Sequence, residues 1–321
     1  MVFCVYTRIT GLKPPSRYPN RMKKYLSALQ IIGELALSFW ACAWLVTTDF
    51  GPRGILSEAF VSHPILKLAL YVFFMTHITI TAMSLSFHRA HTHKGVKFNI
   101  VVDSLMQIWL WCTTSMSKLD WVSVHVYHHA TSDTPNDPHS PVQKGLARIF
   151  FLGVADYAKA KDHPEVLKIR RRLPANRLET FISKNLFVGP ILLGGTLVVL
   201  FGPIWGLILM ASTFLISPIF AVGGVNALAH YVGYRNYETT DNSRNLGFLF
   251  ILNWMICGEL DHNNHHGHPT SCSFRHKPWE FDIGYAYIKL LSWVGLAEIK
   301  HVYKSKPSRS ASQHTPVQSL A

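Results

Sequence analysis

Three short stretches concentrate the imidazoles. FHRAHTHKG carries His88, His91 and His93, WVSVHVYHHATSD carries His125, His128 and His129, and GELDHNNHHGH carries His262, His265, His266 and His268. A fourth, VNALAH, sets Asn226 and His230 four residues apart. The i, i+3, i+4 spacing of His125, His128 and His129, repeated by His262, His265 and His266, puts three imidazoles on one helical face. Such a face suits a metal ion better than a core. One zinc takes about four ligands, so this many histidines make two ions the natural count. Iron, zinc, copper and nickel all stay open on ligand type alone. A lone histidine pair on a helix is ordinarily a surface or hydrogen-bonded feature; ligation is inferred here from the boxes taken together. His91 and His268 break the repeated spacings and are expected to support ligands or face solvent. His77, inside an apolar stretch, reads as a hydrogen-bonded packing residue, and His314 carries no cluster signal.

The elements that must position these side chains are apolar. Of 321 residues 49% are hydrophobic and 15% charged, against roughly 25% charged in a soluble domain. Four stretches, near 27–48, 64–87, 184–201 and 203–228, approach or exceed the ~20 residues of helix that cross a bilayer. Residues 185–228 contain no Asp, Glu, Lys or Arg, and Gly202-Pro203 interrupts them, so they read as a helical hairpin. With four spans, twenty-nine of the 31 basic residues fall on one side, and the 49–63 loop holds only Arg53 against Asp49 and Glu58. By the positive-inside rule both termini are cytosolic. Every histidine cluster lands on that same side. The net charge of +13 is thereby explained by topology, and with no nucleic-acid motif present the nucleic-acid reading falls away.

The expected fold is an all-α integral membrane protein: four transmembrane helices with a cytosolic helical cap holding a histidine-rich centre. Two shorter runs, Ile100–Cys112 and Leu146–Val154, are too short to span and are expected in the interface or under the cap. The five cysteines form no CxxC pair and suggest neither a disulfide framework nor a thiolate zinc site. No cleavable leader is expected before the first span. Residues 1–304 read as a single domain and 305–321, polar and rich in Ser and Pro, as a disordered tail.

HxxxxH, two HxxHH boxes and NxxxH, in this order and spacing, resemble the membrane-bound fatty-acid desaturases that act at the ninth carbon. The flanking text from Asn136 to Pro141, Gly233 to Tyr237 and Trp279 to Tyr285 is similar to the bacterial branch, and the likeness runs from about Thr76 to Val302. That resemblance implies an enzyme of a bacterial inner membrane. His88, His93, His125, His128, His129, His230, His262, His265 and His266 would ligate two irons, with Asn226 reaching one through water. It further implies O2 as co-substrate, a cis double bond in a saturated acyl chain, and a separate electron donor of ferredoxin or cytochrome b5 type with its reductase. In the acyl-CoA branch a basic and an acidic residue precede the second box; here Ser123 and Val124 stand there, which favours an acyl chain on a membrane lipid over acyl-CoA. Arg170, Arg171 and Arg172 could hold a phosphate head group or the acidic face of the donor, or simply rest on anionic lipid.

Two rival functions are distinguishable from the residues. A di-iron hydroxylase of alkyl or carotenoid substrates shares the chemistry but fits the box spacings less well. A histidine-rich metal transporter should place its ligands within the spans near the midplane, whereas these histidines lie at span ends and in the segments between. No HExxH or GxSxG supports a hydrolase.

Overall fold

The computed structural model describes residues 55–56 and 63–304. The expected first span, 27–48, and the tail, 305–321, lie outside them. Among the described residues the chain is mostly helical, with one two-stranded antiparallel sheet of β1 (Val96–Phe98) and β2 (Ala297–Ile299).

Among the described residues, two helices are long and apolar enough to cross a membrane. The first runs through Pro64–Thr92, the second through Val188–His230. Helix α1 (Pro64–Ala82) starts on Pro64, where a missing N–H costs nothing, and continues as a π-helical segment, Met83–Thr92. The second, 43 residues long, would measure roughly 65 Å if straight, about twice a bilayer core. It is not straight. Gly202, at φ 81° and ψ 167°, interrupts it: glycine reaches that conformation without a Cβ clash, and Pro203 restarts a helix beyond it. The two limbs fold back on each other, because a Cβ on Gly206 would come within 2.6 Å of the Val198 backbone and one on Gly194 within 2.6 Å of Met210 Sδ.

Helix α1 lies along the second limb in parallel, with Tyr71 bonded to Thr213 and Thr76 to Ser217. Both therefore deliver their C-terminal ends, His88 and His230, to the same end of the molecule. At the opposite end the backbone N–H groups of Ile55 and Leu56 donate to Val199 and Leu200, beside the Gly202 turn. The break at Gly202 falls where the sequence placed the turn of the apolar hairpin.

The short apolar runs are helices. Helix α2 (Ile100–Thr114) leaves Ile100, Val101, Leu105 and Ile108 exposed. Helix α3 (Lys118–Thr131), capped by Ser117, carries the second histidine box. Helix α4 (Leu146–Ala160) packs against π-helical Ile219–Ala227, where Gly153 meets Val222 and Gly223 meets the Phe150 ring. Helices α5 (Pro164–Arg172) and α6 (Arg177–Lys184) lead into the hairpin, α7 (Val188–Pro218). Beyond it come α8 (Phe250–Met255), α9 (His262–Gly267) with the third box, and α10 (Ile283–Trp293).

Candidate metal centre

Nine histidines converge in two groups. His88, His93, His125, His129 and His265 form one, and His128, His230, His262 and His266 the other; within each group one nitrogen per ring lies within 4.8 Å of all the rest. The groups touch. His129 of the first stacks on His266 of the second at 4.5 Å between ring centroids.

Local geometry decides which ring goes where. His88 and His93 are five apart, a spacing that diverges on an α-helix but closes one turn of a π-helix. The backbone N–H of His93 donates to the His88 carbonyl at 3.1 Å, and the two rings lie 5.0 Å apart. On α3, His125 and His129 are one α-turn apart and share the first group, while His128, about 100° round the helix from His129, enters the second. Helix α9 does the converse: His262 and His266 enter the second group and His265 the first. Each HxxHH box is therefore divided between the two groups, an allocation that the spacing alone leaves open.

Four carboxylates behind the rings escaped the sequence reading. Nδ1 of His88 donates to Glu259 at 3.0 Å, of His128 to Asp137 at 2.9 Å, of His230 to Asp133 at 3.0 Å, and of His266 to Asp241. A carboxylate only accepts, so the proton sits on Nδ1 and Nε2 is left a lone pair. Those lone pairs face other imidazoles. His88 Nε2 lies 3.0 Å from His265 Nε2, His265 Nε2 2.9 Å from His129 Nε2, and His230 Nε2 3.0 Å from His262 Nε2. Nε2 of His93, His128 and His266 is buried without any hydrogen-bond partner. Converging nitrogen lone pairs in a dry site are costly unless a cation lies among them, so the donor set fits metal ions that prefer imidazole.

The carboxylates are held in turn. Asp137 accepts from the backbone N–H of Asp133 and His139, at 2.8 Å each, and Ser140 donates to Asp133 at 2.6 Å. Asp133 itself sits at φ 57°, a left-handed conformation that Asp tolerates better than most residues. The third box is fixed by the two asparagines between its histidines. Asn263 accepts from the backbone N–H of Asn236 and Tyr237, and Asn264 donates to Glu280 at 2.7 Å. The flanking segments around Asn236 and Glu280 thus act as a clamp on α9.

Burial, and then the surrounding imidazoles, hold His93, His125, His129, His262 and His265 well below the ordinary histidine value. His266 is lowered by burial to about 4 against the pull of Asp241. His128 is raised: burial lowers it, but Asp137 together with Asp133 and Asp241 raises it by more. A protonated imidazole cannot ligate, so metal affinity is full above the folded-state value and lost as pH falls through it. In buffers of decreasing pH, with metal read by elemental analysis after gel filtration, the ion of the first group is expected to persist below 6.5, because His93, His125, His129 and His265 are all lowered, whereas the ion of the second is expected to loosen at higher pH, because His128 is raised. Loss of both ions together at 6.5, the ordinary value, would contradict these shifts.

The remaining candidates fall outside both groups. His91 donates to Asp103 at 2.9 Å, and His268 packs on Tyr237 and Tyr303. His77 bonds Met255 O and Tyr287 OH, both at 2.9 Å, and stacks on Trp254. Asn226 lines a cavity of about 190 Å³ that also touches His88, His125 and His262. Met83, Val154, Phe214 and Val222 are among its apolar walls.

The family model for "Fatty acid desaturase" matches residues 65–280. The chain is 30% identical over 260 residues to delta-9 acyl-lipid desaturase 1 of Arabidopsis thaliana, covering 77% of this chain and 79% of that one. It is 31% identical over 224 residues to an sn-1 stearoyl-lipid 9-desaturase of Synechocystis sp., 67% of this chain and 66% of that one. To an acyl-CoA 5-desaturase of Anemone leveillei it is 29% identical over 239 residues, 70% of each. With the matched region spanning both histidine groups and the helices that carry them, the chain belongs to the fatty acid desaturase family, oxidoreductases acting on acyl lipids.

Proposed function

We propose that the chain inserts a cis double bond at the ninth carbon of a saturated acyl chain carried on a membrane lipid, using O2 and electrons from a separate donor. The observation that carries this reading is the pair of histidine groups at the inner wall of an apolar cavity. His88, His93, His125, His129 and His265 would hold one iron. His128, His230, His262 and His266, with Asn226 through water, would hold the other. Such a pair supplies, when bound, the oxygen chemistry that removes two hydrogens from adjacent unactivated methylenes.

The chain's own contribution is placement and dryness. Met83, Val154, Phe214 and Val222 give the methylenes an apolar path past His88 and His125, and a fixed path selects one carbon pair. Glu259, Asp137, Asp133 and Asp241 keep the protons of His88, His128, His230 and His266 on Nδ1. Ser123 and Val124, where acyl-CoA enzymes carry a charged pair, are buried, and Val124 faces the cavity. No charged group stands there to meet a CoA phosphate. The two named lipid-acting relatives are consistent with that choice.

Four crossings of a bacterial inner membrane, with both termini and the histidines cytosolic, complete the proposal: one near 27–48, one through Pro64–Thr92 and two from the folded hairpin. Residues 1–304 act in it as a single desaturase domain. Labelling of Ile55→Cys from outside the cell only, and of Ser310→Cys from inside only, is expected; labelling of both from one side contradicts the arrangement. Expression in a host lacking its own desaturase, with new double bonds located within each lipid class by mass spectrometry, tests position and carrier together. Labelled acyl-CoA that becomes unsaturated before label reaches phospholipid would overturn the lipid carrier.

A further inference from the structure

Away from the substrate cavity, a cleft of about 620 Å³ opens between β1, β2 and the start of α2. It is lined by Lys94, Lys97, Lys300 and His301, with His91 and Asp103 on its floor. The acids around it are accounted for: Asp103 is engaged by His91 and by Gln107 at 2.7 Å, and Glu298, across the ladder from Lys97, pairs with Lys300. Among the described residues neither Lys94 nor Lys97 has a carboxylate within ion-pair distance, although Asp103 lies near enough to Lys94, and Glu298 to Lys97, to act on them electrostatically. Lys94 is also one of the non-glycine residues with positive φ, at 58°, a conformation that costs energy and recurs at binding sites.

Ile100 lines the cleft, and further exposed apolar residues stand on the element ends that meet beside it: Val101 at the start of α2, and Trp293 and Val294 at the end of α10. The two ends are joined by the backbone bond from Asn99 N–H to Leu296 O at 2.9 Å. Ile100, Val101, Trp293 and Val294 are all more than half exposed, Trp293 by 77%. Lone exposed apolar residues mean little, but several on two joined element ends beside lysines are the pattern of a surface seated in the membrane interface. There the tryptophan and aliphatic groups reach the acyl boundary while ammonium groups meet phosphates. A concave pocket also suits a head group better than the broad face of an acidic protein. The cleft lies at the N-terminal end of α2, whereas the substrate cavity touches its far end at Thr113 and Thr114, about 20 Å away along a 15-residue helix.

We propose that this cleft binds the phosphate of an anionic phospholipid, held by Lys94 and Lys97 while its acyl chains lie along Ile100 and Val101. The site is separate from the one that admits substrate. It rests on the membrane reading given above.

Full-length protein purified in mild detergent, given phosphatidylglycerol, phosphatidylcholine or inorganic phosphate, is read by native mass spectrometry and thermal unfolding. About one phosphatidylglycerol retained per chain is expected, with a raised unfolding temperature. For Lys94→Ala/Lys97→Ala, retention should fall by about tenfold or more, while Lys94→Arg/Lys97→Arg keeps it. Lys97→Ala alone, on an exposed strand position, covers the case in which Lys94→Ala misfolds. Equal retention of phosphatidylcholine, undiminished retention in the alanine variants, or equal stabilisation by inorganic phosphate alone would each overturn the lipid site. Unchanged lipid retention with a raised KM for the reduced electron donor would assign the lysines to protein docking instead. Sedimentation of the unextracted protein separates the two failures: recovery without membranes contradicts the membrane reading, and membrane recovery without lipid retention contradicts only the cleft.

Discussion

His265→Ala is expected to abolish double-bond formation, by more than the roughly 100-fold that losing an outer carboxylate costs. Its Nε2 lies within 3.0 Å of the Nε2 of both His88 and His129, so no neighbouring ring can take over its place in the first group. Because the two boxes are divided between the groups, the metal content should discriminate. His265→Ala should lose one ion of two and His128→Ala the other, and the double variant should hold neither. Asp137→Asn keeps the ring of His128 but removes the negative charge, and one of the two acceptor oxygens, that fix its proton, so its affinity should fall roughly 10–100-fold instead. His268→Ala, outside both groups, and His314→Ala should retain metal and activity. Equal and modest losses across all of these variants would contradict the two-group assignment.

Arg89→Met is expected to produce the largest loss of stability. The Arg89 side chain is fully buried within the π-helical segment and forms a bidentate pair with Asp282 at 2.7 and 3.1 Å. It also donates to the carbonyls of Cys257 and Cys272 and lies 3.8 Å from the Phe274 ring centroid. Asp282 meanwhile accepts the backbone N–H groups of Phe274 and Tyr285, fixing the start of α10. Removing the cation leaves a buried carboxylate uncompensated, a loss of about 3–5 kcal/mol. At roughly 2–4 °C per kcal/mol for a chain of this size, unfolding in detergent should shift down by about 6–20 °C. Arg89→Met/Asp282→Asn should recover part of that loss, because the stranded charge is gone. A single variant melting with the wild type would contradict a structural role for the pair.

The six histidines of the two HxxHH boxes were legible in their spacing, because a helix turns three- and four-residue intervals into a shared face; His88, His93 and His230 were marked by their clusters and by the family resemblance. The allocation of the rings between the two groups was not legible. His128 and His129 are neighbours in the sequence and part company only because a helix turns by about 100° per residue, and which side faces which group depends on how α3 packs against α9. The five-residue spacing of His88 and His93 was itself a signal for a π-turn, and the structure contains one. The supporting carboxylates were harder to find. Asp133 and Asp137 lie within nine residues of His128, in a segment already conspicuous for Asn, Pro and Ser; an imidazole that ligates through Nε2 needs an acceptor for Nδ1, and that requirement could have selected them. Asp241, twenty-five residues from His266, gave no local signal, since the chain between them folds through a loop clamped by Asn263. Hydropathy likewise anticipated the Gly202 break, whereas the burial of Ser123 and Val124 depends on tertiary packing against the cavity.

The proposed reaction requires two irons, one in each histidine group. Elemental analysis of protein purified with its native metal, quantified against amino-acid content, measures this directly. About two irons per chain are expected, with loss of activity on chelation and recovery on adding ferrous iron. One zinc per chain, with activity indifferent to iron, would contradict it.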